Sequence, residues 1–118
     1  MSVTWSAAAM IERLGGDDAL ARQLVTLFLD EYPKLLANLR TSVARGNADA
    51  IRRAAHATKG CVANFIDSGP QATAHAIEQC AAEGRTDAAA ALVPQLEREL
   101  AVLVRDMVAF EREWPCAS

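Results

Sequence analysis

Aromatic residues are scarce in this chain of 118 residues: they make up 5% of it, whereas hydrophobic residues of all kinds make up 52%. Few segments alternate β-branched and polar residues, so little in the sequence favours a β-sheet. Much of the apolar content is alanine and leucine, which favours closely packed helices. The length suits one modest hydrophobic core, and we expect a single domain over residues 1–118.

Long apolar runs, an excess of positive charge and paired cysteines are also absent. No run reaches the roughly 18 residues of a membrane-spanning helix, and the first residues lack the pattern of a signal peptide. The formal net charge of −3 argues against nucleic acid as a partner. Three widely spaced cysteines, Cys61, Cys80 and Cys116, indicate free thiols in a reducing compartment. We therefore expect a cytoplasmic protein without direct membrane contact, and a monomer is the default because nothing in the sequence supports a homodimer.

Capping residues, glycines and prolines divide the chain into five helices. Asp17 or Asp18 suits the start of the long second helix, and Asn47 or Asp49 can cap the third. Pro33 should kink the second helix, and Pro94 should either kink the last helix or mark a restart. The connections are short, which predicts an all-α, up-down four-helix bundle with a short extra N-terminal helix. The predicted helices cover residues 6–14, 17–45, 48–65, 70–83 and 86–113.

Apolar side chains recur at helical spacing and predict the buried face of each long helix. In the second helix this stripe comprises Leu20, Leu24, Leu27, Phe28, Leu35, Leu39 and Val43. In the fourth it comprises Ala72, Ala76, Ile77 and Cys80, and in the fifth Leu92, Leu96, Leu100, Leu103, Met107 and Phe110.

The third helix carries His56 on the face opposite its apolar stripe. At about 100° per residue, the stripe lies roughly 180° to 260° around the helix from this histidine. Nearer neighbours, within about 60° of it, are cationic or small. The stripe comprises Ile51, Ala55, Thr58, Val62 and Phe65, and the neighbours of His56 are Arg52, Arg53, Lys59, Gly60 and Ala63.

Gly60 is unexpected on such a face, because a glycine within a helix costs about 1 kcal/mol relative to alanine. Its presence suggests that something large comes close to the helix beside His56. An imidazole is a good nucleophile near neutral pH, and Lys59 could hold an anion above it. Taken together, these residues suggest a histidine that accepts a phosphoryl group from a docked protein. Simpler explanations remain for each feature. The histidine could be an ordinary solvent-exposed residue, the cationic residues could form an ordinary solvated face, and the glycine could let another helix pack closely.

The segment AAHATKGCVANF, residues 54–65, resembles the signature of histidine-containing phosphotransfer (HPt) domains. The family pattern is an Ala-His pair, then lysine three residues and glycine four residues after the histidine, and an Ala-Asn stretch. The pairs at 55–56, 59–60 and 63–64 match it. Residues 13–17, 27–29, 76–83 and 92–103 also resemble the other helices of the family. Departures are Thr58, where leucine is usual, and Ile66, Asp67 and Pro70 in the connection that follows.

The resemblance implies a phosphorelay protein in which Nε2 of His56 carries a phosphoryl group between aspartates of receiver domains. It implies partners that are response-regulator receivers and a hybrid sensor histidine kinase. It implies no cofactor on this chain, since Mg²⁺ would be held by the receiver, and no ATP-dependent kinase activity. The chain would be either a free protein or the cytoplasmic C-terminal part of a membrane sensor kinase.

Residue roles follow from the same resemblance. Lys59 would be the electrostatic partner of the phosphoryl group, and Glu78, 22 residues after His56, would hydrogen-bond Nδ1 of the histidine. Glu78 could equally be an ordinary surface carboxylate, because the altered connection could shift the register of its helix. The expected receiver-docking residues are Arg52, Arg53, Gly60, Ala63 and Asn64.

Other classes of function remain open. A degenerate HPt-like module would dock a receiver without phosphotransfer. A small helical enzyme with His56 as general base would need a pocket and a second catalytic group. A zinc site would need His56, His75, Cys61 and Cys80 to converge, although their spacings are not those of zinc motifs. His75 otherwise has no expected role.

Overall fold

A computed structural model describes residues 5–66 and 68–113 of the chain. Within these residues there are five helices and no β-strand, which confirms the all-α class. Two residues that entered the sequence predictions, Asp67 and Cys116, lie outside the described part. The helices are α1 (Ala7–Arg13), α2 (Asp18–Arg45), α3 (Ala48–Ala63), α4 (Pro70–Ala82) and α5 (Thr86–Glu113).

Polar side chains cap the first three helices. Asp17 accepts a hydrogen bond from the backbone N–H of Leu20, and Asn47 accepts one from that of Ala50. Asn47, rather than Asp49, is therefore the cap of α3. Gly69 precedes α4 without a side-chain bond, and Pro70 is the first residue of that helix. In α1, α2 and α3, the capping side chain thus bonds an amide of the first turn that has no partner within the helix.

Both long helices continue through their prolines. Pro33 lies within α2 and Pro94 within α5, so the predicted alternative of a restart at Pro94 was wrong. Both prolines are exposed. Proline has no N–H, so one carbonyl of the preceding turn lacks its helical hydrogen bond. On the solvent side of the helix water can bond that carbonyl, so the helix can continue at these positions.

The apolar stripe predicted for α3 is buried. Ile51, Ala55 and Val62 are at most 1% exposed, and Phe65 after the helix is also buried. Thr58 lies in the same stripe, and its hydroxyl donates a hydrogen bond of 2.9 Å to the carbonyl of Ala54. This bond satisfies the hydroxyl within its own helix, so the core accepts threonine at a position where leucine would carry no polar group.

The stripe predicted for α2 was partly wrong. Leu27 is 60% exposed and Leu20 is 37% exposed, whereas Ala21 and Val25 are buried. The buried face is therefore turned by about one residue in the first part of the helix, whereas Phe28 and Leu39 of the predicted stripe are buried. In α4, similarly, Ala72 is exposed, and the buried residues are Pro70, Thr73, Ala74, Ile77 and Ala81.

The four longer helices pack in a closed ring of neighbours, α2 with α3, α3 with α4, α4 with α5 and α5 with α2, while α1 packs on α2. Polar bonds reinforce the ring: Arg40 of α2 pairs with Glu97 of α5, and the hydroxyl of Thr73 in α4 donates to Glu99 of α5 at 2.5 Å. The α3–α4 contact is the most extensive. The solvent-exposed face of α3 borders this contact, so side chains at its edge lie beside α4. Within the described residues, no helix is long and apolar enough to cross a membrane.

The rotated face of α2 predicts unequal costs for two leucines of the same helix. Leu39→Ala should lower the free energy of unfolding by about 2–5 kcal/mol, because Leu39 is fully buried and its loss leaves a cavity. Leu27→Ala should lower it by less than about 1 kcal/mol, because most of that side chain already contacts water. Chemical denaturation followed by circular dichroism measures both, and equal losses would contradict the orientation of α2.

Candidate functional site

His56 lies on the solvent side of α3, one residue after the buried Ala55. Its side chain is 66% exposed. Ile51, Thr58 and Val62 fill the opposite, buried side of the helix. The core therefore holds the backbone beneath the imidazole while leaving the ring accessible to a second molecule.

Glu78 of α4 reaches the histidine across the α3–α4 contact. Its Oε2 is 2.8 Å from Nδ1 of His56, and its Oε1 is 2.6 Å from Nζ of Lys59. The glutamate side chain is 14% exposed and that of Lys59 is 21% exposed. One carboxylate thus bridges His56 and Lys59 of α3, one with each oxygen. The altered connection after α3 does not shift α4 out of reach.

The bonds to Glu78 determine its charge. Burial raises the pKa of the Glu78 carboxyl, but the hydrogen bonds from Lys59 and His56 and the charges of those groups outweigh burial, and the pKa lies below its ordinary value. The glutamate is therefore ionised near neutral pH.

An ionised carboxylate only accepts hydrogen bonds, so Nδ1 of His56 carries the proton of the neutral ring. The lone pair is then on Nε2, the nitrogen that does not bond Glu78. In this state Nε2 can act as a nucleophile.

His75 of α4 belongs to the same cluster, although no role is expected for it from the sequence. Its Nδ1 is 3.4 Å from Nζ of Lys59 and 3.7 Å from Oε1 of Glu78. The available signal was its spacing: His75 precedes Glu78 by three residues, so both lie on one face of α4. If Glu78 bonds His56, that spacing brings His75 to the same site.

Arg52 and Arg53 are paired within α3, one turn before His56. The guanidinium of Arg52 is 2.9 Å from Oδ1 of Asp49, and that of Arg53 is 3.1 Å from Oδ2. The hydrogen bond from Arg52 and the charge of Arg53 hold the pKa of Asp49 below its usual value. The three side chains together carry one net positive charge beside the histidine face.

Gly60, Ala63 and Asn64 are exposed near the C-terminal end of α3. A Cβ placed on Gly60 would meet no atom of the described residues within 4 Å, leaving aside its chain neighbours and the backbone of its own helix. Close packing of another described helix therefore does not explain this glycine. Its lack of a side chain leaves clear space outside the protein, one turn after His56.

Beside this face lies a shallow apolar depression of about 530 Å³ that does not include His56. Cys61 lines it, and burial raises the pKa of this thiol, with a further contribution from Glu31. The depression is lined by Leu14, Leu24, Leu27, Phe28, Glu31, Cys61, Asn64 and Phe65.

Within residues 5–66 and 68–113, no three His, Cys, Asp or Glu side chains are placed to hold a metal ion.

The model of the family described as "Hpt domain" matches residues 23–106, which is more than two thirds of the chain and includes His56, Lys59 and Glu78. No curated protein and no solved structure matches the chain.

The shared carboxylate predicts a pH-dependent contribution to stability. Folding holds the pKa of Glu78 below its unfolded value, so the ionised group stabilises the fold above a pH of about 4.5, and this contribution disappears as the pH falls through the lowered pKa. Glu78→Gln should therefore lower the free energy of unfolding by about 1 kcal/mol at neutral pH, and this deficit should shrink as the pH falls below 4.5 and through the lowered pKa.

Urea denaturation at several pH values measures this difference. Glu83→Gln is the matched control, since Glu83 follows the same helix but its side chain is 57% exposed and pairs only with Arg85 among the described residues. The control should change stability by less than about 0.5 kcal/mol at every pH. A Glu78→Gln deficit that stays constant from neutral to acid pH would show that the carboxylate charge is not its source.

Proposed function

The chain belongs to the Hpt domain family, and we propose that it carries a phosphoryl group on Nε2 of His56 between receiver-domain aspartates of a two-component phosphorelay. One observation carries this proposal: Glu78 binds Nδ1 of His56 while the ring remains 66% exposed. That arrangement leaves a nucleophilic nitrogen at the surface, where another protein can reach it. Phosphotransfer in two-component signalling is the general role of the family.

The tautomer of His56 suits the chemical step. The lone pair of Nε2 attacks the phosphorus of an aspartyl phosphate, the N–P bond forms, and the P–O bond to the aspartyl carboxyl breaks. The electron pair of that bond returns to the aspartate as a carboxylate. No proton has to leave Nε2, because the ring proton is already on Nδ1. Transfer onward to a second receiver is the reverse of this step.

Glu78 and Lys59 act on the charges that change during transfer. Attack makes the imidazole ring more positive, and the Glu78 carboxylate lies against Nδ1 to balance that charge. The phosphoryl group is negative, and the Lys59 ammonium lies on the adjacent turn of α3 to neutralise it. Because Glu78 holds both groups, the charges are placed before the partner arrives, which lowers the reorganisation needed in the transition state.

The docking surface in this proposal is the face of α3 around His56. Gly60, Ala63 and Asn64 give a low, open surface, and the apolar depression continues it past Asn64. Arg52 and Arg53 would favour the acidic pocket of a receiver, although Asp49 offsets part of their charge. The partners are response-regulator receivers and a hybrid sensor kinase. The chain holds no cofactor, and the Mg²⁺ is the receiver's.

The same proposal extends to the arrangement of the helices. The closed ring of α2 to α5, with short connections between consecutive helices, supports an up-down four-helix bundle to which α1 is an extra N-terminal helix. In such a bundle the carrier histidine lies on the outside of one helix, which suits docking of a second protein better than enclosure of a small substrate.

Phosphotransfer to His56 is tested with purified receiver domains labelled through radioactive acetyl phosphate. The wild-type chain should gain label that is labile in acid and stable in base, as expected of a phosphohistidine. His56→Gln should gain none and keep its fold, because the replaced side chain is largely exposed. Circular dichroism provides the control for folding.

Each other outcome has a definite meaning. Binding of a receiver without phosphotransfer would show that the chain is a docking module and not a phosphoryl carrier. Label that persists in His56→Gln would place the acceptor elsewhere, and neither binding nor transfer with any receiver would contradict both functions.

Gly60 gives a separate test of the docking face. Gly60→Gln should keep or raise the free energy of unfolding, since glutamine favours a helix by roughly 0.5–1 kcal/mol over glycine and the space is open. It should nevertheless weaken receiver binding about tenfold or more, because the added side chain meets the partner.

Ala91→Gln provides the matched control, since Ala91 is an exposed residue of α5, the helix across the ring from α3. It should leave binding unchanged in isothermal titration calorimetry. Full affinity in Gly60→Gln would mean that no partner approaches this part of α3.

A further inference from the structure

We propose that His75 is a positioning residue for Lys59: it accepts a hydrogen bond from the ammonium through Nδ1 and is held in the tautomer opposite to that of His56. The effect of this arrangement on phosphotransfer rests on the proposed function. The contact between the two side chains does not.

The geometry places the Lys59 ammonium between two acceptors of α4. Nζ is 2.6 Å from Oε1 of Glu78 and 3.4 Å from Nδ1 of His75. His75 and Glu78 lie one helical turn apart, and Lys59 reaches both from α3. The lysine side chain is only 21% exposed, which shows that it folds down onto α4 and does not extend into water.

Hydrogen-bond roles then assign opposite tautomers to the two histidines. An ammonium has only N–H donors, so Nδ1 of His75 must be the acceptor, and the ring proton is on Nε2. Nδ1 of His56 faces a carboxylate, which only accepts, so its proton is on Nδ1. Nδ1 of His75 is 3.7 Å from Glu78, too far for a good hydrogen bond that would reverse this assignment.

The assignment separates two rings with similar exposure. The side chain of His75 is 52% exposed, so access alone would make it a second phosphoryl acceptor. However, its Nε2 carries the proton and has no lone pair to attack phosphorus, and the lone pair of its Nδ1 accepts from the Lys59 ammonium. The same cluster thus activates Nε2 of His56 and leaves Nε2 of His75 unreactive.

The second acceptor also limits the conformations of the Lys59 side chain. With Glu78 alone, the flexible stem could place Nζ at several positions around Oε1, each with a different direction for its remaining N–H bonds. A second bond to His75 selects among these positions and leaves one N–H bond, which we assign to the phosphoryl group on His56. A lysine already held in one conformation loses less conformational entropy during transfer.

The tautomers are measured directly by nuclear magnetic resonance on the full chain with ¹⁵N-labelled histidine. At a pH of about 8, where imidazole is largely neutral, two-bond ¹H–¹⁵N spectra distinguish protonated from unprotonated ring nitrogens. We expect an unprotonated Nε2 in His56 and an unprotonated Nδ1 in His75. His56→Gln and His75→Asn assign the signals. A proton on Nδ1 of His75 would overturn the proposal.

Three variants test the consequence for transfer. In His75→Asn, Oδ1 occupies the place of Nδ1 and can still accept from Lys59, whereas His75→Gln puts its oxygen one bond further out and His75→Leu has no acceptor. Single-turnover transfer from a phosphorylated receiver should fall about fivefold or more in the Leu and Gln variants and stay within about twofold of wild type in the Asn variant. Receiver affinity should not change in any of them.

The outcomes separate this inference from the proposed function. Equal transfer rates in wild type and His75→Leu would overturn the positioning role while leaving His56 as carrier. If His75→Leu lowered the affinity for the receiver and left the transfer rate unchanged, His75 would be a docking residue, and the positioning role would again be overturned. If the wild-type chain took no label from any receiver, the proposed function would fail, and the tautomer measurement would still decide the His75–Lys59 contact.

Discussion

The bridging carboxylate of Glu78 is the contact on which the site depends. It is the only group that bonds both His56 and Lys59 among the described residues, and it does so from a different helix. Remove it, and the histidine loses the partner that keeps its proton on Nδ1, while the lysine loses its anchor on α4. The reactivity of one exposed ring is thus tied to the packing of α3 against α4.

That packing can be close because both helices bury small side chains. Ala54 and Ala55 of α3 and Ala74 and Ala81 of α4 are buried. Small residues in a helix contact let the two axes approach, which brings polar groups at the edge of the contact within hydrogen-bond distance. The high alanine content therefore does more than favour helices. It also sets the spacing at which a glutamate of one helix can meet a histidine of the next.

Sequence alone predicted much of this arrangement, and its failures concern which side chains of neighbouring helices meet. The helix limits and the cap choices rest on local bonds, and the buried stripe of α3 rests on a strong periodicity, so both could be predicted. In α2 and α4 several faces carry small or apolar residues, and periodicity could not decide which face meets the neighbour. Leu27 was misplaced for that reason. His75 was missed because its contact with Lys59 depends on how α4 lies against α3, and its three-residue spacing from Glu78 is informative only once Glu78 is placed beside His56.

Gly60 destabilises its helix for no reason found within the described structure, which indicates a role in contact with another molecule. A glycine within a helix destabilises it by about 1 kcal/mol relative to alanine, and such a cost usually has a compensation inside the protein. Here the described structure offers none, because a Cβ would enter open space. Leu27 is a second case, since an exposed leucine gains little from the core. Leu27 lines the same depression as Asn64, near the open side of α3. The proposed docking of a second protein accounts for both at once: the glycine lets it approach, and the leucine gives it apolar surface to bury.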